Sequence, residues 1–490
     1  MSKMTRREFS KVVGVTALAT GATHTAFGSV ANDGVSFSNA SSQREWAGGR
    51  RVGIRKNAVS WGGGSENIDL LSGNLNFKLP VAMPTSRGLS IGINCSYNAQ
   101  SWEDDSVGGR NHGIDSGVGH GWSVRIGSIV RQYSGNTVSG CTYVDGTGAE
   151  YPLTPSRGVW VSLQGIYVSY DDVKSRLRFP NGTFWELECQ SAAGEPDAGT
   201  LYPTLIQDRN GNQIVIRYAN GAGSDREDSC SRIVEIVDAR ATDAASGRKT
   251  YSFLYDAGEI PRLQSITNHI GNHESWSFTY ETQSIVSPFN ASEDYGFITV
   301  LKSIKTAADF FYTFTYNQYG EMQFAHMPYG ARFRWEYTGV RNGIRGVSER
   351  GLMLSLNAKE DVYSIRMSQN AETPYTVLTE PGNVATRIWT FRPDGLLNTI
   401  DERSSDADKS LHRTTNKWKT TSSGVPYVGV KTVTYGTLKR LMRKQAETNA
   451  TEICLVILPS TGSLTTTIPQ SLSGNLAEEV GFDPTRGFHP

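Results

Sequence analysis

Four segments of the chain carry an aromatic residue at every second position, and this pattern restricts the fold more than any other feature. In a β-strand, positions i, i+2 and i+4 point to one face, so each segment places three rings side by side. An isolated two-stranded hairpin is marginal in water and cannot bury three rings. The pattern therefore predicts strands that stack against neighbours. The segments are Tyr251/Phe253/Tyr255, Trp276/Phe278/Tyr280, Tyr312/Phe314/Tyr316 and Phe333/Trp335/Tyr337, with Ile214/Ile216/Tyr218 as an aliphatic relative.

A short apolar segment precedes each of the first four of these five strands along the chain, at residues 205–206, 233–236, 263–266 and 301–304, so segment and strand together make a repeating unit. The final tyrosines lie 37, 25, 36 and 21 residues apart, and we interpret the longer spacings as units with loop insertions. Each buried ring contributes roughly 1.5–3 kcal/mol, so a row of units gains far more than one unit. We predict an all-β strip of stacked hairpin-like repeats, with ring packed against ring. A platform of exposed rings is the less favoured alternative, because it would aggregate.

Strand patterns also fill the region before these repeats. A turn at Ser72-Gly73-Asn74 precedes an alternating strand, a second alternating strand follows, and a Gly-rich segment at 117–123 leads into further apolar positions. The inward-facing residues that we predict are Leu75, Phe77 and Leu79, then Leu89, Ile91, Ile93, Cys95 and Tyr97, then Val124, Ile126 and Ile129. This region is therefore predicted to be β-rich.

The amino-acid composition favours a strand-rich fold and argues against two classes of binding partner. Gly (51), Tyr (21), Phe (18) and Trp (10) supply turns and half-buried pleated surfaces. Lys plus Arg equals Asp plus Glu, at 48 each. This balance argues against a nucleic acid or an anionic membrane as partner. The five cysteines, Cys95, Cys141, Cys189, Cys230 and Cys454, contain no CxxC pair and form no disulfide framework; one pair could oxidise after export.

The N-terminus has the layout of a twin-arginine export signal. Arg6 and Arg7 are followed by Phe9 and Lys11, and then by a mildly apolar stretch too short to span a bilayer. Ser29-Val30-Ala31 supplies small residues for cleavage after Ala31, with the mature chain starting near Asn32. We therefore expect export to the periplasm, the cell surface or the extracellular space, with no transmembrane helix after signal removal.

These patterns divide the chain into five regions. We expect the signal peptide at 1–31, a flexible leader at 32–60, a β-rich region at 61–200, degenerate β repeats at 201–402 and a polar C-terminal region at 403–490 with one short helix. That helix is suggested by Leu438, Leu441, Met442 and Gln445.

Only one catalytic motif pattern occurs, and its context argues against it. Gly88-Leu89-Ser90-Ile91-Gly92 matches the nucleophile elbow GxSxG, which needs a strand before it and a helix after it. Here a turn precedes Ser90 and strand residues follow, so we place Ser90 at the start of a strand. A pair of carboxylates could meet in space as in a glycosidase, but the sequence pairs none. No P-loop or dinucleotide fingerprint occurs, so we expect no cofactor.

Two clusters could in principle hold a metal ion. His269 and His273 have a spacing that ligates metals on a helix, yet Gly271-Asn272 between them favours a turn. Glu103, Asp104, Asp105 and Asp115 could collect Ca²⁺, although a solvated acidic loop is the default interpretation. Asp145-Gly146 and Asp394-Gly395 indicate turns.

Several of these segments together resemble the RHS/YD-repeat family. The resemblance covers roughly residues 60 to 402. It lies in Leu71-Ser72-Gly73-Asn74-Leu75 with Pro80, in Ser90 to Tyr97-Asn98, in 117–123, 144–148 and 179–185, in Asp208-Arg209-Asn210-Gly211-Asn212 with Tyr218, in Phe391-Arg392-Pro393-Asp394-Gly395, and in Tyr255-Asp256 with the similar Tyr316-Asn317. The family implies long β-strips that form a shell, linked to surface display, contact-dependent competition and toxin encapsulation. This chain is short for the family and shows no core cleavage motif or separate toxin domain.

These observations favour an exported, non-enzymatic β-repeat protein that acts as a structural or interaction module of the cell envelope or surface. We expect its partner to be an envelope protein or a polysaccharide. Two alternatives stay open. The first is a carbohydrate-binding or carbohydrate-cleaving envelope protein, because Trp and Tyr rings can stack on sugars. The second is a shell subunit associated with a secreted toxin.

Overall fold

A computed structural model describes most of the chain from residue 51 to residue 435, together with the strand at 464–469. The gaps within it are residues 57, 87, 105–108, 136, 163–164, 239–247, 271–273, 291–292, 341–342, 369, 371, 405–408 and 422–423. The chain forms two compact units, one spanning Gly49–Val362 and the other containing the described residues from Tyr363 onwards. No α-helix occurs in the described residues, and the all-β prediction is confirmed.

The first unit begins with a five-stranded antiparallel sheet in the order β1-β2-β3-β6-β9, joined by two short hairpins, β4–β5 and β7–β8. These strands are β1 (Ser60–Trp61), β2 (Glu66–Asp69), β3 (Leu75–Ala82), β4 (Thr85–Ser86), β5 (Leu89–Ser90), β6 (Ile93–Asn98), β7 (Trp102–Glu103), β8 (Arg110–Asn111) and β9 (Trp122–Arg125). We call this layer the N-terminal sheet.

The unit continues as a long strip in which consecutive antiparallel strands are neighbours, with additional pairings β10–β18 and β16–β19. The strands are β10 (Gly127–Ser134), β11 (Thr137–Asp145), β12 (Glu150–Ser156), β13 (Val159–Ser162), β14 (Ser169–Asp171), β15 (Arg176–Arg178), β16 (Phe184–Glu186), β17 (Cys189–Gln190), β18 (Leu201–Tyr202), β19 (Leu205–Gln207), β20 (Gln213–Tyr218), β21 (Ile233–Asp238), β22 (Arg248–Tyr255), β23 (Leu263–Asn268), β24 (Ser275–Val286), β25 (Asp294–Thr306), β26 (Phe311–Tyr316), β27 (Met322–His326), β28 (Arg332–Gly339) and β29 (Arg345–Met353). A 3-10 turn at Pro328–Gly330 joins β27 to β28.

The second unit is also a meander of antiparallel strands. Its strands are β30 (Asp361–Met367), β31 (Tyr375–Thr379), β32 (Ala385–Phe391), β33 (Leu397–Ser404), β34 (Ser410–Thr420), β35 (Pro426–Tyr435) and β36 (Leu464–Pro469), with a 3-10 turn at Pro381–Asn383. The boundary between the two units falls within β30.

The repeating unit predicted from the aromatic pattern is present, and its last tyrosine has a specific structural role. A β-bulge occurs at the final tyrosine of five successive repeats. In four of them the tyrosine hydroxyl donates a hydrogen bond to a main-chain carbonyl 15 to 17 residues upstream: Tyr218 to Pro203, Tyr280 to Leu263, Tyr316 to Leu301 and Tyr337 to Met322, at 2.6–3.0 Å. This bond ties the strand of each of these four repeats to the part of the chain that precedes it. In the second unit, Trp418 takes the same position and donates its indole N–H to Leu397 at 2.7 Å.

The N-terminal sheet covers the central rings of the strip. The expected packing of ring on ring between neighbouring repeats occurs at Trp276 and Tyr312. Phe77 of β3 lies at the centre of the contact between the N-terminal sheet and the strip, with its ring centroid 5.9–6.3 Å from those of Trp122, Phe314, Phe333 and Trp335. Phe77, Trp122, Phe314 and Trp335 are almost completely buried. The N-terminal sheet therefore supplies the apolar cover that the aromatic face needs.

Three loops between strands share one hydrogen-bond pattern. In three five-residue loops, an Asp or Asn side chain at the first position accepts main-chain N–H groups at the third and fifth positions, and a glycine at the fourth position has positive φ. The loops start at Asp145, Asp208 and Asn317, and their glycines are Gly148, Gly211 and Gly320. The turns predicted at Asp145-Gly146 and Asp394-Gly395 are therefore present, although Gly148 rather than Gly146 takes the left-handed conformation.

The N-terminal strands follow the predicted alternation with one correction. Gly73 adopts φ +76° in the predicted turn, and Leu75, Phe77 and Leu79 are buried. The predicted strand through Leu89 and Tyr97 is instead two strands, β5 and β6, separated by Ile91 and Gly92. β5 pairs with β4 in a small hairpin, whereas β6 pairs with β3 and β9.

Candidate interface on the hairpin tips

The sequence motif around Ser90 does not form a nucleophile elbow. Ser90 is exposed and ends the two-residue strand β5, which pairs with Thr85 and Ser86. The next element is strand β6 rather than a helix. This geometry agrees with the structural interpretation of Ser90, with the correction that Ser90 ends its strand instead of starting it.

The two candidate metal clusters are used for structural contacts where they are described. His269 contacts the Ser252 hydroxyl through Nε2 at 2.8 Å, while His273 lies outside the described residues. Glu103 pairs with His112 at 2.9 Å. Among the described residues, no group of three His, Cys, Asp or Glu side chains could hold a metal ion.

Asp115 organises the Gly-rich segment at 117–123. Its Oδ1 accepts the N–H groups of Gly117 and Gly119, both at 3.0 Å, and its Oδ2 accepts Arg262 Nη1 at 2.5 Å. Asp104 contributes its own N–H to the Gly343 carbonyl, and Asp105 lies outside the described residues. The carboxylate of Asp115 is therefore engaged in turn formation and an ion pair.

The export-signal residues Arg6, Arg7, Phe9, Lys11 and Ala31 lie outside the described residues, as do Cys454 and the helix suggested around Leu438. The export route therefore stays a prediction. In the part of the chain that the structure describes, no helix is long and apolar enough to cross a membrane.

A buried ion pair holds the N-terminal sheet to the strip. Glu66 of β2 accepts two hydrogen bonds from Arg350 of β29 on Oε1 and one from Trp335 Nε1 on Oε2, the last at 2.9 Å. Burial raises the pKa of Glu66, and the Arg350 charge partly offsets this effect. Every partner of the carboxyl is a donor, so the contacts fit its ionised form. The guanidinium also lies 5.4 Å from the Trp61 ring centroid.

Two other buried pairs fix loops within the strip. Arg232 donates to both oxygens of Glu195, at 2.9 and 2.6 Å, and Arg345 donates to both oxygens of Glu321, at 2.7 and 3.1 Å. Burial alone would raise the pKa of Glu195, but hydrogen bonds from Arg232 and from the Ala222 N–H lower it. Such bidentate pairs are geometrically specific, and they make these loops rigid.

His120 is buried between the N-terminal sheet and the strip without a hydrogen-bond partner on Nε2. A Cβ placed on Gly113 would lie 2.0 Å from its ring, so Gly113 leaves the space that the imidazole fills. Burial lowers the pKa of His120 to about 4, while the Asp115 charge acts in the opposite direction. The imidazole is therefore neutral at pH 7.

Exposed apolar side chains gather at one edge of the strip. Because neighbouring strands are antiparallel, the turns after β25, β27 and β29 reach the same edge, and they carry Phe310, Tyr329 and Leu356. These side chains are 36%, 77% and 78% exposed. The rings of Phe310 and Tyr329 lie 5.3 Å apart, and Leu356 packs against Gly330. The half-buried Trp276 and Tyr312, stacked 6.4 Å apart, extend the surface. We call these five residues the tip cluster.

Tyr329 has an unusual backbone for its side chain. It adopts φ +67° and ψ +14°, between Pro328 and Gly330. A bulky residue in this left-handed region costs on the order of 1–2 kcal/mol and is found chiefly where function or packing requires it. Ion pairs Lys305–Asp309 (2.8 Å) and Arg332–Glu360 (3.2 Å) involve residues of the same turns and adjoining strands. The edge therefore combines an aromatic centre with charged neighbours of both signs.

The aromatic pattern of the sequence does not predict the tip cluster as an exposed surface. The pattern assigns Trp276 and Tyr312 to the aromatic strands and does not include Phe310, Tyr329 or Leu356. A signal was present, because Pro328-Tyr329-Gly330 places an aromatic residue between two turn-forming residues. Glu66 and Arg350, 284 residues apart, carry no local signal at all.

No family model matches the chain, and no curated protein matches its sequence. Solved structures match at low identity. The N-terminal domain of effector protein SpvB from Salmonella typhimurium is 14% identical over 56% of this chain and 98% of that chain, with a TM-score of 0.22. The Photorhabdus luminescens Tc holotoxin pore is 9% identical over 70% of this chain and 19% of that chain, with a TM-score of 0.25. TcdB2-TccC3 is 13% identical over 79% of this chain and 18% of that chain, with a TM-score of 0.21. This chain thus spans about a fifth of the two toxin chains, and the proposals below rest on its own geometry.

Proposed function

We propose that the chain is a non-enzymatic structural and interaction module of the cell envelope or surface, and that the tip cluster is its contact surface for a protein partner. The single observation that carries this proposal is the exposed aromatic centre on adjacent hairpin tips, built from Phe310 and Tyr329. A left-handed conformation holds the Tyr329 ring outwards.

The chemistry of the tip cluster matches that of protein–protein interfaces. Trp, Tyr and Phe are enriched at the centres of such interfaces, where a few of them carry most of the binding energy. The Lys305–Asp309 and Arg332–Glu360 pairs would supply a polar rim of both charges. The strip behind them is stiff, because tyrosine hydroxyl bonds tie its strands together and the buried Glu66–Arg350 pair ties it to the N-terminal sheet. A rigid platform loses little conformational entropy when it binds.

We further propose that the chain is of the RHS/YD-repeat type and is exported through the twin-arginine route. Support for the first part comes from the strand-forming segments that carry the resemblance and from the turns at Asp208 and Asn317, which share one hydrogen-bond pattern. Support for the second part comes from the order of Arg6, Arg7, Phe9 and Lys11 in the sequence.

A second candidate function is carbohydrate binding by two other rings of the tip cluster. Trp276 and Tyr312 stack at an interplanar angle of 29° and are half-buried, so they present aromatic surface of the kind on which sugar rings stack. This candidate predicts saturable binding on a glycan array. The protein-partner proposal predicts no such binding.

The experiment that tests the proposal is a pull-down of the tagged exported chain from the cell envelope, read by mass spectrometry. Wild type is compared with the double variant Phe310→Ser/Tyr329→Gly and with a control, Val173→Ser, which changes an exposed residue in the turn between β14 and β15. We expect one stoichiometric protein that the control retains and the tip variant loses. Equal recovery with all three proteins would contradict the role of the tip cluster. A toxin among the captured proteins would favour the toxin-shell alternative.

A further inference from the structure

Two loops at the beginning of the strip are fastened to each other along their length. One loop, residues 191–200, joins β17 to β18, and the other, residues 219–232, joins β20 to β21. The Ala192 N–H donates to the Ser229 carbonyl at 2.8 Å, and the Glu195–Arg232 pair connects the same loops. The two loops therefore have a fixed register.

A cysteine lies on each side of this junction. Cys189 begins the two-residue strand β17 before the first loop, and Cys230 lies in the second loop, 41 residues later. Both side chains are fully buried. The Cys189 thiol donates to the main-chain carbonyl of Cys230 at 3.3 Å, and the Cys230 thiol donates to the Ala219 carbonyl at 3.1 Å. One sulfur thus already contacts the main chain of the other cysteine.

We propose that Cys189 and Cys230 form a disulfide bond that joins the two loops covalently. Two thiols lose two protons and two electrons as the S–S bond forms. The acceptor is a small-molecule disulfide such as oxidised glutathione, whose own S–S bond breaks and which is released as two thiols. The step proceeds by attack of a thiolate on the acceptor, followed by attack of the second thiolate on the mixed disulfide. This proposal is independent of the proposed function.

Burial determines when the bond forms. It raises the pKa of Cys230 to about 11 and that of Cys189 further, so few thiolates exist in the folded protein at neutral pH. The thiolate is the reactive species, and exchange in the folded state is therefore slow. Formation of the bond in the folded protein therefore requires the two loops to separate transiently, whereas refolding from the unfolded state starts with both thiols exposed.

The disulfide can be identified by peptide mapping, because trypsin cleavage leaves the five cysteines in five different peptides. Cys189 lies in peptide 179–209 and Cys230 in peptide 227–232. The full chain is refolded from the reduced, unfolded state in a buffer of oxidised and reduced glutathione, and a second sample is treated with the same buffer without unfolding. Both samples are alkylated, digested without reductant and analysed by mass spectrometry.

We expect the linked peptides 179–209 and 227–232 to be the major cross-linked species after refolding, and a lesser one without unfolding. Cys189→Ser should remove this species and leave Cys230 open to alkylation after denaturation, whereas the control Cys95→Ser should leave the species unchanged. Alkylation of both Cys189 and Cys230 in the two wild-type samples would overturn the proposal. So would a predominant link from either residue to Cys95, Cys141 or Cys454.

Discussion

The buried ion pair between Glu66 and Arg350 gives the most demanding test of how the N-terminal sheet joins the strip. Arg350→Met removes the guanidinium and leaves the Glu66 carboxyl buried, with Trp335 as its remaining donor among the contacts described above. Glu66→Gln leaves the positively charged Arg350 guanidinium buried beside the rings of Phe333 and Trp61. Each single substitution therefore leaves one charged group, the Glu66 carboxylate or the Arg350 guanidinium, buried without its ion-pair partner.

The expected magnitudes follow from burial. Breaking a buried pair by removing one partner costs about 3–5 kcal/mol, because the charge left behind is uncompensated. The double variant Glu66→Gln/Arg350→Met has no buried charge at this site and keeps an acceptor for the Trp335 indole. We expect it to lose about 1–3 kcal/mol, the cost of the amide hydrogens left without partners. The double variant should therefore be more stable than either single variant.

Urea unfolding followed by tryptophan fluorescence measures these differences, and pH supplies a second readout. Burial already raises the pKa of Glu66, and loss of Arg350 raises it further. A carboxyl with a raised folded pKa favours the folded state when protonated, so this contribution decreases as the pH rises above the unfolded pKa. Arg350→Met should lose more stability relative to wild type at pH 8 than at pH 5. Single variants that each cost less than about 1 kcal/mol, with additive effects in the double variant, would refute the reasoning.

Three further predictions concern single residues. Tyr316→Phe removes a hydroxyl that accepts the Trp122 indole N–H and donates to the Leu301 carbonyl, so the free energy of unfolding should fall by about 2–3 kcal/mol. Tyr280→Phe removes one such hydrogen bond, and its free energy of unfolding should fall by about 1 kcal/mol. His120, with its pKa lowered to about 4, binds a proton more readily when unfolded, so wild type should lose about 2 kcal/mol between pH 7 and pH 5 that His120→Gln does not lose; equal pH dependence of the two proteins would contradict this. Tyr329→Gly should leave stability within about 0.5 kcal/mol of wild type, because relief of the left-handed backbone offsets the lost ring contact; a loss above about 2 kcal/mol would assign Tyr329 a packing role instead.

Features that depend on neighbouring residues could be predicted from the sequence. The alternation in segments such as Tyr312/Phe314/Tyr316 identifies strands, because side-chain direction along a strand depends only on position. The turn at Gly73 and the loop at Asp208 follow in the same way from local hydrogen bonding. The glycine three positions after Asp145, Asp208 and Asn317 was a readable signal for the shared loop.

Features that depend on distant contacts could not be predicted. Phe77 covers rings more than 200 residues away, and Glu66 meets Arg350 across 284 residues. Neither partner contains information about the other within its own segment. The same limit explains why the sequence predicts ring-on-ring packing between repeats, which occurs at Trp276 and Tyr312, but does not predict the cover that the N-terminal sheet provides. The tip cluster depends on strand pairing, which brings Phe310 and Tyr329 together.

Site-specific photo-crosslinking tests the central claim, that the tip cluster contacts a protein partner, most directly. The residue p-benzoylphenylalanine replaces Tyr329 in one protein and Val173 in a control, and both are irradiated in the cell envelope. The account predicts one protein adduct of defined mass from position 329 and none from position 173. The same adducts from both positions, or none from position 329 while glycan binding saturates, would contradict it.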